Sequence, residues 1–443
     1  MDKKIFKTYE VRGVYGKELD EDGARKIGRA FVYFLSKEKP VIVIGRDGRK
    51  SSPSIFYQVK KGVTEAGGKV VDIGLCNTPL LNFAVAKFGY DGGLMVTASH
   101  NPPEFNGIKM IKERALQLYG EEIQQIRKIA EEKEIMGKEK GEVEKVNPLP
   151  SYINHLFSFF KEKSPLKMVL DFGNGVSSFT AKPFFERRGD DVFYLYDEIR
   201  GDFPGHPPDP HDKEAHKKIK SKILSKAADI GVIFDGDGDR CVIFDEKGEV
   251  VFGDALFMLL AKEEIKKKKK GSVCYDLRFS MATEEVIRKM GGTSVMMRVG
   301  NPFYKEKIIR EGGLLGGELS GHIMFKDNYG IDDGLFAFLK VVEIASREKK
   351  PLSELITPYK KYFQTPEINF SVEDKEEAIQ KVRNSFKGGE ELHIDGLYIK
   401  YEDWWFSLRA SNTEDLVRLR IEAKTEDLLE EKREEITSLL ESL

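Results

Sequence analysis

Cysteine is scarce: Cys76, Cys241 and Cys274 are the only three among 443 residues, and none stands in a CxxC pair. An odd, scattered set excludes a disulfide framework and a thiolate zinc site and suits a reducing compartment. Long apolar runs are also missing. Stretches such as Ala255 to Ala261 fall far short of the ~18 residues of a membrane span, and MDKKIFKTYE has no signal-peptide apolar region. Charge of one sign is not in excess either: 72 Lys plus Arg against 74 Asp plus Glu leave −2. No global field recruits nucleic acid or an anionic membrane, so neither is an expected partner and any anion site must be local. The expected location is the cytoplasm, and nothing in the sequence sets an oligomeric state.

What is present is enough apolar material for several cores, 40% hydrophobic and 11% aromatic residues. At about 150 residues per domain the length suggests roughly three domains. A strand, loop and helix order recurs: VIVIGRDGR (Val41 to Arg49), a helix ending in glycine, then KVVDIG; KMVLDFGNG (Lys167 to Gly175), SFTAKPFFERRG, then DVFYLY; SVCYDLR (Ser272 to Arg278), MATEEVIRKMGG, then TSVMMRVG. Such alternation predicts mostly parallel sheets covered by helices, with ligand loops beyond the strand ends. Beyond about Pro358 the pattern changes to strand-like INFSV, a helix from Lys375 to Phe386, a strand-like run LYIKYEDWWFSLRAS, LVRLRIEA and a charged helix, a smaller α+β domain. Plausible joints are NPLP (Asn147 to Pro150) and the stretch before the lysine run Lys266 to Lys270, itself a solvated turn or helix end.

Each unit delivers one unusual loop. DGDGDR places Asp235, Asp237 and Asp239 at alternate positions after an apolar strand, three hard oxygen ligands suited to magnesium. An EF-hand is disfavoured despite Glu246, because Arg240 stands where glycine is needed and CVIF continues as a strand. TASHNP (Thr97 to Pro102) offers Ser99 as a nucleophile or phosphate carrier, with His100 and Asn101 beside it and Lys109 downstream. RASNTED offers Arg409, Ser411, Asn412 and Thr413 to a phosphate's oxygens. GELSGH sets Glu318, Ser320 and His322 at alternate positions, where carboxylate and hydroxyl suit sugar hydroxyls. DFG (Asp171 to Gly173) lacks the accompanying kinase segments and reads as a strand-end turn.

The order TASHNP, DGDGDR, GELSGH, RASNTED, with FKTYEVRG (Phe6 to Gly13), GRDGR and FPGHPPDP (Phe203 to Pro210), resembles the α-D-phosphohexomutase superfamily, within it the bacterial phosphomannomutase/phosphoglucomutase group. The resemblance implies three similar α/β domains (1–148, 149–250, 251–362) and a smaller C-terminal α+β domain (363–443) around a central cleft. It implies a phosphoryl carrier at Ser99 and magnesium held by that phosphate with Asp235, Asp237 and Asp239. The matching chemistry interconverts hexose 1-phosphate and hexose 6-phosphate through a hexose 1,6-bisphosphate that reorients. Arg12 and Arg240 would offset charge near the serine, and Arg409 with its neighbours would hold the other phosphate. Lys109 is then the general base, its pKa lowered by burial among cations, with His322 as acid and His100 in support.

In related enzymes residues matching Glu318 and Ser320 hold O3 and O4 of the sugar, so glucose and mannose phosphates are both expected substrates. Tyr9, Arg278 and Asn301 complete the expected sugar site, although Asn301 stands where histidine is common and Arg278 where lysine is. Leu319 and TASHNP lean away from the alternative, a phosphoglucosamine mutase. Two other readings are a metal-dependent phosphatase and a magnesium- or sugar-phosphate-binding sensor that has lost turnover. A closing last domain is expected, hinged before Pro366.

Overall fold

The computed structural model describes residues 2–132, 135–411 and 416–442. Four sheets follow one another along the chain. The first runs Val11–Val14, Phe105–Lys112, Gly92–Val96, Val41–Arg46, Lys69–Leu75, Val143–Lys145, with the last four strands parallel. The second runs Cys241–Phe244, Ile230–Phe234, Lys167–Asp171, Asp191–Leu195, and the third Thr293–Met297, Ser272–Asp276, Leu315–Gly317, Ile323–Phe325. Each has a parallel core closed by an antiparallel strand, Cys241–Phe244 on one and Ile323–Phe325 on the other. The fourth is antiparallel throughout. The expected three mixed, mostly parallel sheets and a separate α+β unit are what the chain forms.

The run LYIKYEDWWFSLRAS is not one strand. It splits into Leu397–Lys400 and Trp404–Ala410, which pair with each other across Tyr401–Asp403. Alternation alone did not reveal that the acidic pair Glu402–Asp403 makes the hairpin turn. DFG does end a strand, and the lysine run ends the helix Gly253–Lys268. Among the described residues, no helix is long and apolar enough to cross a membrane, and Cys76, Cys241 and Cys274 are free and buried.

The first three chemical loops occupy the same place in their sheets. Each is the turn between a strand and its antiparallel successor, 97–104, 235–240 and 318–322, while the strands Trp404–Ala410 and Leu416–Ala423 that flank the fourth motif are likewise antiparallel. In the first three the preceding strand belongs to the parallel core, so the loop emerges at its carboxyl end, where ligands collect in α/β sheets. One apolar cluster, including Phe83, Phe184 and Phe336, runs through the first three units. The helix Gly334–Glu348, capped by Asp333, lies against the second unit's strands Ile230–Phe234 and Cys241–Phe244 and welds third to second.

Candidate active site

Ser99 sits at φ 49°, a left-handed conformation unusual outside glycine and held here by its surroundings. Its amide donates to Thr97 Oγ1 at 3.0 Å. Arg49, fully buried and anchored by Asp47, donates to the carbonyls of Ser99, Asn101, Pro102 and Phe105 at 2.9, 2.7, 2.6 and 3.1 Å. One guanidinium thus ties down the whole loop. Ser99 Oγ donates to Asp235 Oδ2 at 2.7 Å and accepts from Arg240 Nη2 at 3.0 Å. Gly236 permits this approach, since a Cβ there would lie 2.3 Å from the Ser99 carbonyl oxygen. Arg240 also donates to His100 Nδ1 at 2.5 Å, and its charge, with burial, holds that imidazole neutral and its pKa well below the usual range. Arg12 reaches Asn101 Oδ1 at 2.5 Å and pairs with Glu10.

Asp235, Asp237 and Asp239 are buried, with carboxylate oxygens within 4.8 Å of one another. Burial, then Asp239, pushes the Asp235 carboxyl up to about 7. Asp237 resists burial and stays below the usual carboxylate range because Lys109 Nζ lies at 2.7 Å and Thr78 Oγ1 donates at 2.6 Å. Lys109 also donates to Asp239 Oδ2 at 2.5 Å. Its pKa is raised: burial opposes the ammonium, but Asp237 and Asp239 outweigh burial. This corrects the expectation of a lowered pKa, because the nearest charges are carboxylates rather than arginines.

Asp237 Oδ1 and Asp239 Oδ1 remain buried without a hydrogen-bond partner. Two orphaned oxygens in a set of hard ligands fit a divalent cation. A second close trio, Asp239, His322 and Asp332, fits less well. Asp332 is already claimed by Lys305 Nζ and Asn301 Nδ2, both at 2.6 Å. Glu246 is engaged by Ser353 instead of the loop.

His322 pairs with Arg240 through the backbone, joining the second and third loops, and its Nδ1 lies 3.3 Å from Asp332 Oδ2. Burial lowers its pKa, but Asp239 and Asp332 prevail and raise it, favouring imidazolium. Glu318 Oε1 accepts the Gly300 amide at 2.6 Å, and Ser320 Oγ donates to Oε2 at 3.2 Å. Tyr9 donates to the Val299 carbonyl at 2.8 Å, and burial pushes its phenol up to about 12. Arg278 is held by Asp276 and by Glu367 Oε2 at 2.9 Å. Arg409 faces Asp395 and Glu367 at 3.4 and 3.5 Å, long enough to exchange for a better acceptor. Ser411 is buried beside it. Asn412 and Thr413 lie outside the described residues.

A cleft of 320 Å³ is lined by Tyr9, Arg12, Ser99, His100, Lys109, Asp239, Arg240, Arg278, Asn301, Glu318, Ser320, His322, Arg409 and Ser411. Asp235 and Asp237 stand directly behind Ser99 and Lys109. Sequence reasoning missed Arg49, Thr78, Lys305 and Asp332. Of these, Arg49 carried a signal, in GRDGR; the others are single residues in ordinary elements, recognisable only by what they meet.

The chain matches family models for all four phosphoglucomutase/phosphomannomutase domains: alpha/beta/alpha domain I over residues 3–136, II over 150–248, III over 252–362 and the C-terminal domain over 367–439. It is 35% identical over 432 residues to a phosphomannomutase/phosphoglucomutase of Pseudomonas aeruginosa, covering 96% of this chain and 93% of that one. It is 36% identical over 448 residues to a phosphomannomutase of Methanocaldococcus jannaschii, covering 100% and 98%. The crystal structure of a phosphoglucomutase/phosphomannomutase family protein from Burkholderia thailandensis superposes with a TM-score of 0.92 at 34% identity, covering 100% and 98%. A shared architecture, four domain matches in order and whole-length relatives place this chain in the phosphoglucomutase/phosphomannomutase family.

Proposed function

We propose that this enzyme interconverts hexose 1-phosphate and hexose 6-phosphate, of mannose, glucose or both, through a phosphoserine at Ser99 and a bound hexose 1,6-bisphosphate. The observation that carries the reading is that a buried serine backed by three aspartates and an arginine-lined anion site open into one cleft. A hydrolase has little use for the second anion site. In the forward half-reaction a free sugar hydroxyl attacks the phosphoserine phosphorus, the bond from phosphorus to Ser99 Oγ breaks, and the hydroxyl proton passes to a base. The bisphosphate turns around, its other phosphoryl returns to Ser99 Oγ, and a proton is given to the departing sugar oxygen.

Magnesium, held by Asp235, Asp237, Asp239 and the phosphoserine, would neutralise charge developing on the transferred phosphoryl. Arg240 and Arg12 supply further fixed positive charge. Lys109 is placed as the base; a magnesium ion on Asp237 and Asp239 would weaken their pull on its ammonium, and burial would then count for more in loosening its hold on the proton. His322, whose hold on a proton is strengthened by Asp239 and Asp332, suits the acid role, and neutral His100 keeps Arg240 and the loop oriented. Arg278, Asn301, Glu318, Ser320 and Tyr9 line the sugar's place, and Arg409, Ser411, Asn412 and Thr413 hold the non-reacting phosphate. The three free, buried cysteines support a cytoplasmic location.

Phosphorus NMR with magnesium, a trace of hexose 1,6-bisphosphate and glucose, mannose or glucosamine 1-phosphate in separate tubes tests the reading. Growth of 6-phosphate signals from glucose or mannose is the expected result. Inorganic phosphate alone would establish a phosphatase, and silence in every tube would overturn the assignment.

A further inference from the structure

Three guanidiniums meet at the joint between the third and fourth domains. Arg278 follows the third domain's strand Ser272–Asp276, while Arg409 and Arg418 face each other on paired strands of the fourth. All three line the cleft. Charges of one sign this close repel, so their convergence needs an anion among them. Arg278 has Asp276 on its own domain and Arg409 has Asp395 on its own. Glu367 is the carboxylate they share. Its Oε2 accepts from Arg278 Nη1 at 2.9 Å, Arg409 Nη2 lies 3.5 Å from both its oxygens, and Arg418 Nη1 lies 3.5 Å from Oε1. Glu367 is absent from the lining of the catalytic cleft and borders the adjoining cavity together with Pro366 and Arg278. It also stands in the connection itself, between Phe363–Gln364 and Ile368–Ser371.

We propose that Glu367 is a positioning residue for phosphate capture: its carboxylate draws Arg409 and Arg418 of the fourth domain up to Arg278 of the third and so registers the fourth domain over the sugar phosphate. The inference rests on the mutase reading. Charge counting gives the opposite sign, because removing an anion beside three cations strengthens their attraction for phosphate. The direction of the change therefore separates positioning from simple charge.

The test uses full-length Glu367→Gln and Glu367→Asp enzymes assayed with glucose 1-phosphate. Positioning predicts that Glu367→Gln raises KM about tenfold with kcat within about threefold, and lets more hexose 1,6-bisphosphate escape per turnover. Glu367→Asp, which keeps the charge on a shorter arm, should raise KM by only about threefold. An unchanged or lowered KM in a folded Glu367→Gln enzyme overturns the proposal, as does an unchanged KM in Glu367→Asp if the glutamine variant fails to fold. Calorimetric binding of glucose 6-phosphate and of mannose 6-phosphate to Ser99→Ala protein separates the two layers. Binding of neither glucose 6-phosphate nor mannose 6-phosphate with Glu367 intact would sink the mutase reading, whereas equal binding with and without Glu367→Gln would sink only the role of Glu367.

Discussion

The first three domains and the fourth are held in different ways. Phe83, Phe184 and Phe336, one from each of the first three, belong to a single continuous apolar cluster, whereas the fourth domain has its own core around Trp404, Phe406 and Ile436. Across the joint, among the described residues, lie a small cluster of Leu277, Tyr398 and Trp405 with Met281 and Met296 against it, and polar ties such as Arg278 to Glu367 and the Val299 amide to Asp395. Ser99, Lys109, the aspartates, Arg240 and His322 all stand on the fused block; Arg409 and Ser411 stand on the unit with its own core. The groups proposed for the chemistry thus share a core, and those proposed to hold the second phosphate are attached through polar contacts of the kind that allow domain motion.

The sharpest break of this contrast is chemical. Ser99→Ala should lower turnover at least about ten-thousandfold, read by phosphorus NMR, while leaving thermal unfolding unchanged. A second test compares two buried rings. Phe336→Ala should destabilise the three-domain block by about 3–5 kcal/mol in denaturant unfolding. Trp405→Ala should leave that main transition in place and instead expose the fourth domain to early proteolysis. Merging of the two transitions in both variants would show that the fourth domain is not separable.

Arg49→Lys sharpens the rigid side, because one ammonium cannot serve four carbonyls. It should cost kcat about ten- to a hundredfold with little change in KM, measured by steady-state kinetics. The smallest expected effect concerns Glu65, which Arg25 and Arg29 hold down at about 2. A depressed carboxylate stabilises the fold fully above its ordinary value of 4.5, and that contribution is lost as pH falls from there through about 2. The melting-temperature gap between the native enzyme and Glu65→Gln should therefore be constant at neutral pH and close on acidification.

The repeating strand, loop and helix order was legible because parallel-sheet strands are short β-branched runs and their helices end on glycine. Ser99, the three aspartates, Glu318 and Arg409 were legible as candidates because tight loops concentrate unusual residue combinations, and the fold brings them to one cleft. Lys109 shows where this stops: its position followed from the motif, but its proton affinity depends on which charges lie nearest, and those are Asp237 and Asp239 from another domain. Arg49, Asp332 and Lys305 were missed for the same reason, since each acts through partners distant in sequence.

The sequence by itself determined the α/β units, the four loops and the residue types they carry, because periodicity, glycine placement and loop chemistry are local properties of the chain. Only the tertiary structure decided that the loops meet: Ser99 on Asp235, Lys109 between Asp237 and Asp239, His322 beside Arg240, and three arginines gathered on Glu367. Charge interactions depend on distance and on exclusion of water, and both are set when domains remote in sequence close on one another.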